Sequence, residues 1–312
     1  MARLYMMVGL PGSGKSYHAN KMDDVCVVST DEIRKELFGD ENDQDHNNEV
    51  FNEVHKRIYN YLKQDVDVVY DATNLSRKRR RAFLKTLPEG TLKYAIVMLT
   101  DYYNCLKNNN DRDRHVPEDV IHRMFTRITI PTDSIPEGFD HISYISYPDN
   151  KSTDIDYFQP CVNFDQDNPN HSLTLSEHME KAYNIVHEKA QKSNLDLHQR
   201  ELLCRATLFH DIGKPFCKTY EKFNGVVDDH AHYYNHAEVG AYLMLCAREL
   251  IPARNLVRNN AQFVDRLIIA TLIQNHMRFF DDKFNIDEFV SNTCPQMGTM
   301  LDLLHEADVA AH

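Results

Sequence analysis

The stretch Arg3-Leu4-Tyr5-Met6-Met7-Val8-Gly9-Leu10-Pro11-Gly12-Ser13-Gly14-Lys15-Ser16 decides the fold of the first half of the chain. Arg3 to Val8 is a short apolar run suited to a buried strand, and the residues from Ser16 onward can begin a helix. Between them, Gly9 to Ser16 fits G-x-x-x-x-G-K-[ST]. In that pattern glycines let backbone N–H groups curl round a phosphate, the lysine neutralises β and γ oxygens, and the hydroxyl can hold Mg²⁺. Gly9, Pro11, Gly12, Ser13, Gly14, Lys15 and Ser16 are therefore the candidate nucleotide-binding residues. The helix N-terminus that follows favours anions by itself. The plainer alternative is a glycine-rich turn with a surface lysine.

A phosphate loop names a nucleotide, not a reaction, so the residues further along must supply the acceptor. Val25 to Val28 reads as a second strand, and Ser29 with Glu32 has the spacing of a capping box. That places Asp31 in the first helical turn and Arg34 one turn on, on the same face and at the carboxyl edge of the sheet. Open α/β sheets bind ligands at that edge, and a carboxylate there can take a proton from an attacking hydroxyl. Asp67 to Asp71 is a third strand ending at the same edge, where Asp71 suits an acceptor site, a strand-terminating cap or an indirect Mg²⁺ partner. Arg77 to Arg81 is a run of cations opening a helix with Phe83, Leu84 and Leu87 on its apolar side. Such a run is either a solvated face or a track for a phosphate backbone. After a fourth strand, Tyr94 to Leu99, come Arg112 and Arg114, then Pro117 in the first turn of a further helix. Arginines at such a place can close as a lid on a triphosphate, or lie on the surface.

Together GLPGSGKS, STDEIR, YDATN and RDRHVPEDVIHRM resemble the polynucleotide 5′-kinase family of P-loop phosphotransferases over about the first 130 residues. The resemblance implies that Lys15 and Ser16 bind the phosphates and Mg²⁺ of ATP, that Asp31 is the general base, and that Arg34 holds the phosphate beside a 5′-hydroxyl. It further implies that Asp71 supports the acceptor site and that Arg112, with Arg114, belongs to the lid. The family often carries another arginine one turn before Arg112, where this chain has Asn108.

Between about Pro131 and Asp167 turn formers, acidic residues and tyrosines are scattered without a helical period, so we expect a last strand around His141 to Tyr147 and then a linker. The expected organisation is an α/β P-loop kinase domain with a parallel sheet over residues 1–150, followed by an all-α domain over residues 151–312. Histidines gather in the second part, with 11 of 17 after residue 150. Thr174 and Glu177 form a second capping-box pattern, which places His178 in a first helical turn. Glu201 to Phe209 reads as an amphipathic helix running into His210 and Asp211. His236 and His276 fall on further helices, and Asp308 lies near the end.

The ordered set His178, His210, Asp211, His236, His276 and Asp308 resembles the HD phosphohydrolase superfamily, and the stretch from Pro169 is similar to the HD domains of some bacterial tRNA nucleotidyltransferases. Imidazole and carboxylate ligands suit Mn²⁺, Fe²⁺, Co²⁺, Ni²⁺ or Zn²⁺ better than Ca²⁺. The resemblance implies His178, His210, Asp211 and Asp308 as minimal ligands, with His236 and His276 serving a second metal. Lys214 and His171 are candidates for a substrate phosphate, or ordinary surface residues.

The seven dispersed cysteines, without a CxxC, give no disulfide framework or zinc ribbon and fit a reducing cytoplasm. No apolar run is long enough for a membrane span or a secretory leader. Net charge is −12, which disfavours tight non-specific duplex binding but leaves recognition of a strand end open. The leading expectation is a bifunctional enzyme that phosphorylates 5′-OH ends with ATP and hydrolyses 2′,3′-cyclic, 2′- or 3′-phosphate ends of RNA, with DNA not excluded. No ligase-like lysine motif is present, so sealing would fall to a separate RNA ligase. The alternatives are a small-molecule or nucleoside kinase fused to an HD nucleotidase, and an HD half that senses nucleotides without hydrolysing them.

Overall fold

The structure is a computed structural model in which residues 1–112, 115–146, 157–169, 172–247 and 260–312 are described, the side chains of 260–262 excepted. The chain divides into two compact units, Met1–Phe125 with Thr129–Asn150, and Thr126–Ile128 with Lys151–His312. The crossing near residue 150 falls outside the described residues, as do Tyr147, Arg114 and His171.

The first unit is built on a parallel five-stranded sheet: β1 Arg3–Val8, β2 Cys26–Ser29, β3 Val68–Asp71, β4 Leu92–Met98 and β5 His141–Ile145, in the order β2-β3-β1-β4-β5. Strand β1 occupies the centre, which is why nearly all of RLYMMV is apolar. Its side chains alternate between two cores. Leu4 and Met6 join Val28, Val68 and Tyr70 beneath the helices α2 Thr30–Phe38, α3 Asn47–Lys63 and α4 Arg77–Leu84. Met7 packs on the opposite face with Val69, Ile96, Met98 and Ala19 of the short helix α1 Lys15–Ala19. Helices α5 Tyr102–Asn110 and α6 Glu118–Phe125 follow β4.

Two local expectations change here. Ser29 is the N-cap of α2 but its hydroxyl makes no capping bond, because the residue is still paired in the ladder opposite Asp71. The Arg77–Arg81 run is not a uniform charged face. Arg80 is 1% exposed and makes a two-pronged pair with Glu137 (2.7 and 2.5 Å), while Arg77 also approaches Glu137 (3.4 Å). Only Lys78, Arg79 and Arg81 are exposed.

Among its described residues the second unit is helical apart from one hairpin. Its helices are α7 Leu175–Gln191, α8 Leu197–Leu208, α9 Lys214–Cys217, α10 His236–Cys246, α11 Asn260–Asn275, α12 Ile286–Asn292 and α13 Pro295–Ala311. Helix α7 packs on α8 and α13, and α10 on α11. The α7 start forms the full capping box, Thr174 and Glu177 each satisfying the other's end. Strands β6 Thr219–Glu221 and β7 Val227–His232 form an antiparallel hairpin between α9 and α10. An Asn224-Gly225 turn signal marks it in the sequence. No helix among the described residues is long and apolar enough to cross a membrane.

Candidate functional site

The loop from Gly9 to Ser16 joins the carboxyl end of β1 to α1. Gly12 and Gly14 both adopt positive φ, +77° and +89°, and a Cβ on Gly12 would lie 2.2 Å from the Cys105 carbonyl oxygen. Backbone closeness and left-handed geometry thus both demand glycine there. Across the loop, Lys15 Nζ donates to the Leu10 carbonyl oxygen (2.8 Å). Burial lowers the Lys15 pKa, and the nearby Asp71 carboxylate works against that shift. A buried ammonium held by one carbonyl is poised to take a stronger anionic partner. Thr100 Oγ1 donates to the Ser13 carbonyl (3.0 Å), and Asn108 Nδ2 to that of Gly12 (2.9 Å), so Asn108 fastens the loop from outside.

Ser16 Oγ donates to Asp71 Oδ2 (2.6 Å). Asp71 ends β3 directly opposite Ser29, and the bond ties it to the hydroxyl that suits Mg²⁺. On α2, Arg34 Nη1 donates to Asp31 Oδ1 (2.9 Å) and Nη2 to Asn47 Oδ1 (2.9 Å). The Arg34 side chain is 6% exposed and that of Asp31 49%, so the guanidinium is fixed while the carboxylate stays open to solvent. Asn47, at the start of α3, escaped notice because no local pattern marks it. Arg112 Nη2 donates to Asn109 Oδ1 (2.6 Å) at the end of α5. Arg114 lies outside the described residues.

The second cluster is in the helical unit. His178 comes from the first turns of α7, His210 and Asp211 follow α8, His236 opens α10, and Asp308 sits on α13. His276 is not inside a helix but begins the 3₁₀ turn His276–Phe280 directly after α11. All six are buried. His178 Nε2 lies 3.3 Å from His210 Nε2 and 3.1 Å from Asp308 Oδ1. Asp211 joins two halves: Oδ2 lies 3.3 Å from His210 Nε2, and Oδ1 lies 3.1 Å from His236 Nε2 and 3.5 Å from His276 Nε2.

Three of the imidazoles are turned the same way. The Nδ1–H groups of His210, His236 and His276 donate to the carbonyls of Thr207, Tyr233 and Ile273, each 2.7 Å away. This fixes the tautomer that leaves Nε2 as a lone pair aimed inward. Two such lone pairs 3.3 Å apart, as in His236 and His276, repel unless a proton or cation lies between them. The sets His178, His210, Asp308 and His210, Asp211, His276 each bring ligand atoms within 4.8 Å of one another, so the donors fit one or two cations. Burial works against charge at His210, but Asp211 and Asp308 outweigh it and raise its pKa to about 10. Burial also works against charge at the two carboxyls, but His210, joined by Lys214 at Asp211 and by His178 at Asp308, outweighs it and holds both well below the usual carboxylate range. Lys214 Nζ donates to Asp211 Oδ2 (2.7 Å) and Gln166 Oε1 (2.9 Å). Gln166 was not evident from sequence.

A family model described as an AAA domain matches residues 4–131. No curated protein matches the chain. Among solved structures, the Pnkp1/Rnl/Hen1 RNA repair complex contains a chain 25% identical, with 40% of this chain and 43% of that one aligned at a TM-score of 0.37. A second Pnkp1/Rnl/Hen1 complex gives 27% identity, 34% and 38% coverage and a TM-score of 0.31. A gluconokinase from Sinorhizobium meliloti 1021 gives 16%, with 46% and 82% covered and a TM-score of 0.34. This chain spans less than half the length of either repair-complex chain. The N-terminal part of the molecule is a parallel-sheet α/β domain with a P-loop, and a helical region follows it.

Proposed function

We propose that the protein heals nucleic-acid ends: a 5′-hydroxyl kinase in residues 1–150 and an HD-type metal phosphohydrolase in residues 151–312, with RNA the main substrate. The observation that carries this reading is the sharing of Asp211 between two sets of inward-facing Nε2 atoms, in a chain that also holds a P-loop beside Asp31 and Arg34. Two phosphate chemistries in one chain match the two defects that many ribonucleases leave, a 5′-hydroxyl and a 2′,3′-cyclic phosphate.

In the kinase half, Lys15 and the loop amides bind the ATP phosphates, and Ser16, oriented by Asp71, faces Mg²⁺. Asp31 accepts the proton of the attacking 5′-hydroxyl, while Arg34 and Asn47 hold its position and the adjoining phosphate. Lys78, Arg79 and Arg81 supply the remaining local cations for the strand. Arg112 and Arg114 belong to the lid over the triphosphate. In the phosphohydrolase half, His178, His210, Asp211 and Asp308 hold the first metal, and Asp211, His236 and His276 the second. A Mn²⁺, Fe²⁺, Co²⁺, Ni²⁺ or Zn²⁺ ion held by these residues would supply Lewis acidity to a water and positive charge to the phosphate. Lys214 orients Asp211 and offers its ammonium to the substrate phosphate.

The test is incubation with ATP, Mg²⁺ and Mn²⁺, and a panel of 5′-hydroxyl oligonucleotides, nucleosides, and oligonucleotides ending in 2′,3′-cyclic, 2′- or 3′-phosphate. Transfer to oligonucleotide 5′ ends and opening or removal of the terminal phosphate are expected. Transfer only to nucleosides, together with hydrolysis of free nucleotides alone, would replace end healing by the paired small-molecule kinase and nucleotidase. Metal-replete protein inert towards every phosphate would leave the helical half as a nucleotide sensor.

A further inference from the structure

The hairpin β6–β7 is rooted at the histidine cluster at both of its ends. Before it stand Asp211 and Lys214; after it, Tyr233 accepts the His236 Nδ1–H bond through its carbonyl (2.7 Å) and lies under the Lys214 ammonium (5.5 Å to the ring). The hairpin carries three rings in a column. His232 and Tyr234 are nearly parallel, 9° apart with centroids at 5.3 Å, and Phe223 lies on Tyr234 at 3.8 Å and 37°. Phe223, at the open end, is 87% exposed.

The tip is a built turn. Gly225, at φ +81°, donates its N–H to the Lys222 carbonyl (2.9 Å), and Lys222 N–H returns to the Val226 carbonyl (2.9 Å). Asp228 pins the two strands together by accepting from Lys222 Nζ (2.9 Å) and His232 Nε2 (3.0 Å). Lys218 is engaged as well, with Asp167 (2.6 Å). Both hairpin lysines being paired, the feature this element offers a ligand is not free charge. It offers a planar apolar face, held in place by a second ring and left in water, and each nucleobase has a π-face that continues such a stack.

We propose that Phe223, backed by Tyr234, is a stacking platform for the base of the nucleotide whose phosphate occupies the histidine cluster. The proposal deepens the phosphohydrolase reading above and rests on it for the identity of the ligand as a nucleic-acid end. Base-to-aromatic stacking is worth about 5- to 150-fold in affinity. It selects bases without regard to sequence, which suits an enzyme that meets any broken end.

The probe is a pentaribonucleotide with a non-hydrolysable 3′-phosphonate and 2-aminopurine as its last base, titrated into full-length, Mn²⁺-loaded protein. Its partner probe is abasic at the last position. Wild type should quench the 2-aminopurine and bind the base-bearing probe about 10-fold more tightly than the abasic one. Phe223→Ala should abolish both effects and Phe223→Trp should keep them. Phe223→Leu, which retains apolar cover on Tyr234 without a π-face, should behave as Phe223→Ala. An equal preference for the base in wild type and Phe223→Ala, or none in wild type, would overturn the platform. Hydrolysis of a 3′-phosphorylated pentanucleotide, assayed separately, reports on the enzymatic reading. Base-dependent binding lost in Phe223→Ala with no hydrolysis in wild type would keep the platform and remove the end-healing role.

Discussion

Asp31 and Arg34 show how little of a residue's environment is needed to give it opposite duties. One turn of α2 separates them, yet the guanidinium is buried and held from two sides while the carboxylate is half exposed. A general base must reach its substrate, and its positioning partner must not move. Asp31→Asn keeps the shape and the Arg34 contact but removes proton acceptance, so ATP binding should persist while phosphate transfer falls about 10²-fold or more in single-turnover assays. Lys15→Ala should abolish transfer through loss of charge on the donor phosphates, with weakened nucleotide binding in the same titration. Transfer by Asp31→Asn at the wild-type rate would remove the base assignment. Spacing put Asp31 and Arg34 on one helix face, since i and i+3 are neighbours there, and the family resemblance supplied the roles expected of them. Asn47 and Gln166 were not legible, because their partners are 13 and 48 residues away and only the folded chain brings them near.

Helix α4 carries the lesson at the scale of an element. Five successive cations read as one charged face, but a helix turns 100° per residue and cannot present neighbours alike. Arg80 points inward, where Glu137 and the carbonyls of Asn74 and Thr129 satisfy its guanidinium. The carboxylate that makes its burial tolerable is 57 residues away, beyond any local signal. Removing one partner of such a buried pair strands the other, at a cost of about 3–5 kcal/mol. Arg80→Ala should therefore lower the urea midpoint of the first unit markedly, and Arg80→Lys should recover little, since an ammonium cannot form the fork. Arg79→Ala, on the exposed side of the same run, should change stability by less than about 0.5 kcal/mol and weaken oligonucleotide binding at low salt. Capping boxes divide in the same way. Thr174 and Glu177 lie where the chain is free to close its box, whereas Ser29 is still held in the sheet.

For the whole molecule, the two candidate sites are drawn from separate stretches of chain, with the P-loop residues in the first unit and the histidine cluster in the second. The parallel sheet was readable because β1 to β4 are short runs rich in apolar residues, two of them ending in the polar Ser29 and Asp71, and the helical half because its caps and histidines are spaced by turns. The hairpin β6–β7 is faint in the sequence although Asn224-Gly225 marks its turn, because its strands are short and mostly polar. If the histidine cluster holds a cation only when folded, that cation stabilises the second unit by mass action, about 2.7 kcal/mol at a hundredfold excess over its dissociation constant. In calorimetry, Mn²⁺ should then raise the transition of the second unit by about 5–10 °C, and a chelator should reverse the shift. Replacing His210 and Asp211 together by alanine takes donors out of both ligand sets, so the Mn²⁺-dependent shift, the bound metal and the hydrolysis of phosphorylated ends should vanish together. The 5′-kinase activity of that variant should stay within about twofold of wild type, because none of the P-loop contacts involves either residue. Loss of both activities in a protein whose first transition is unchanged would mean that the two chemistries are coupled rather than merely joined in one chain.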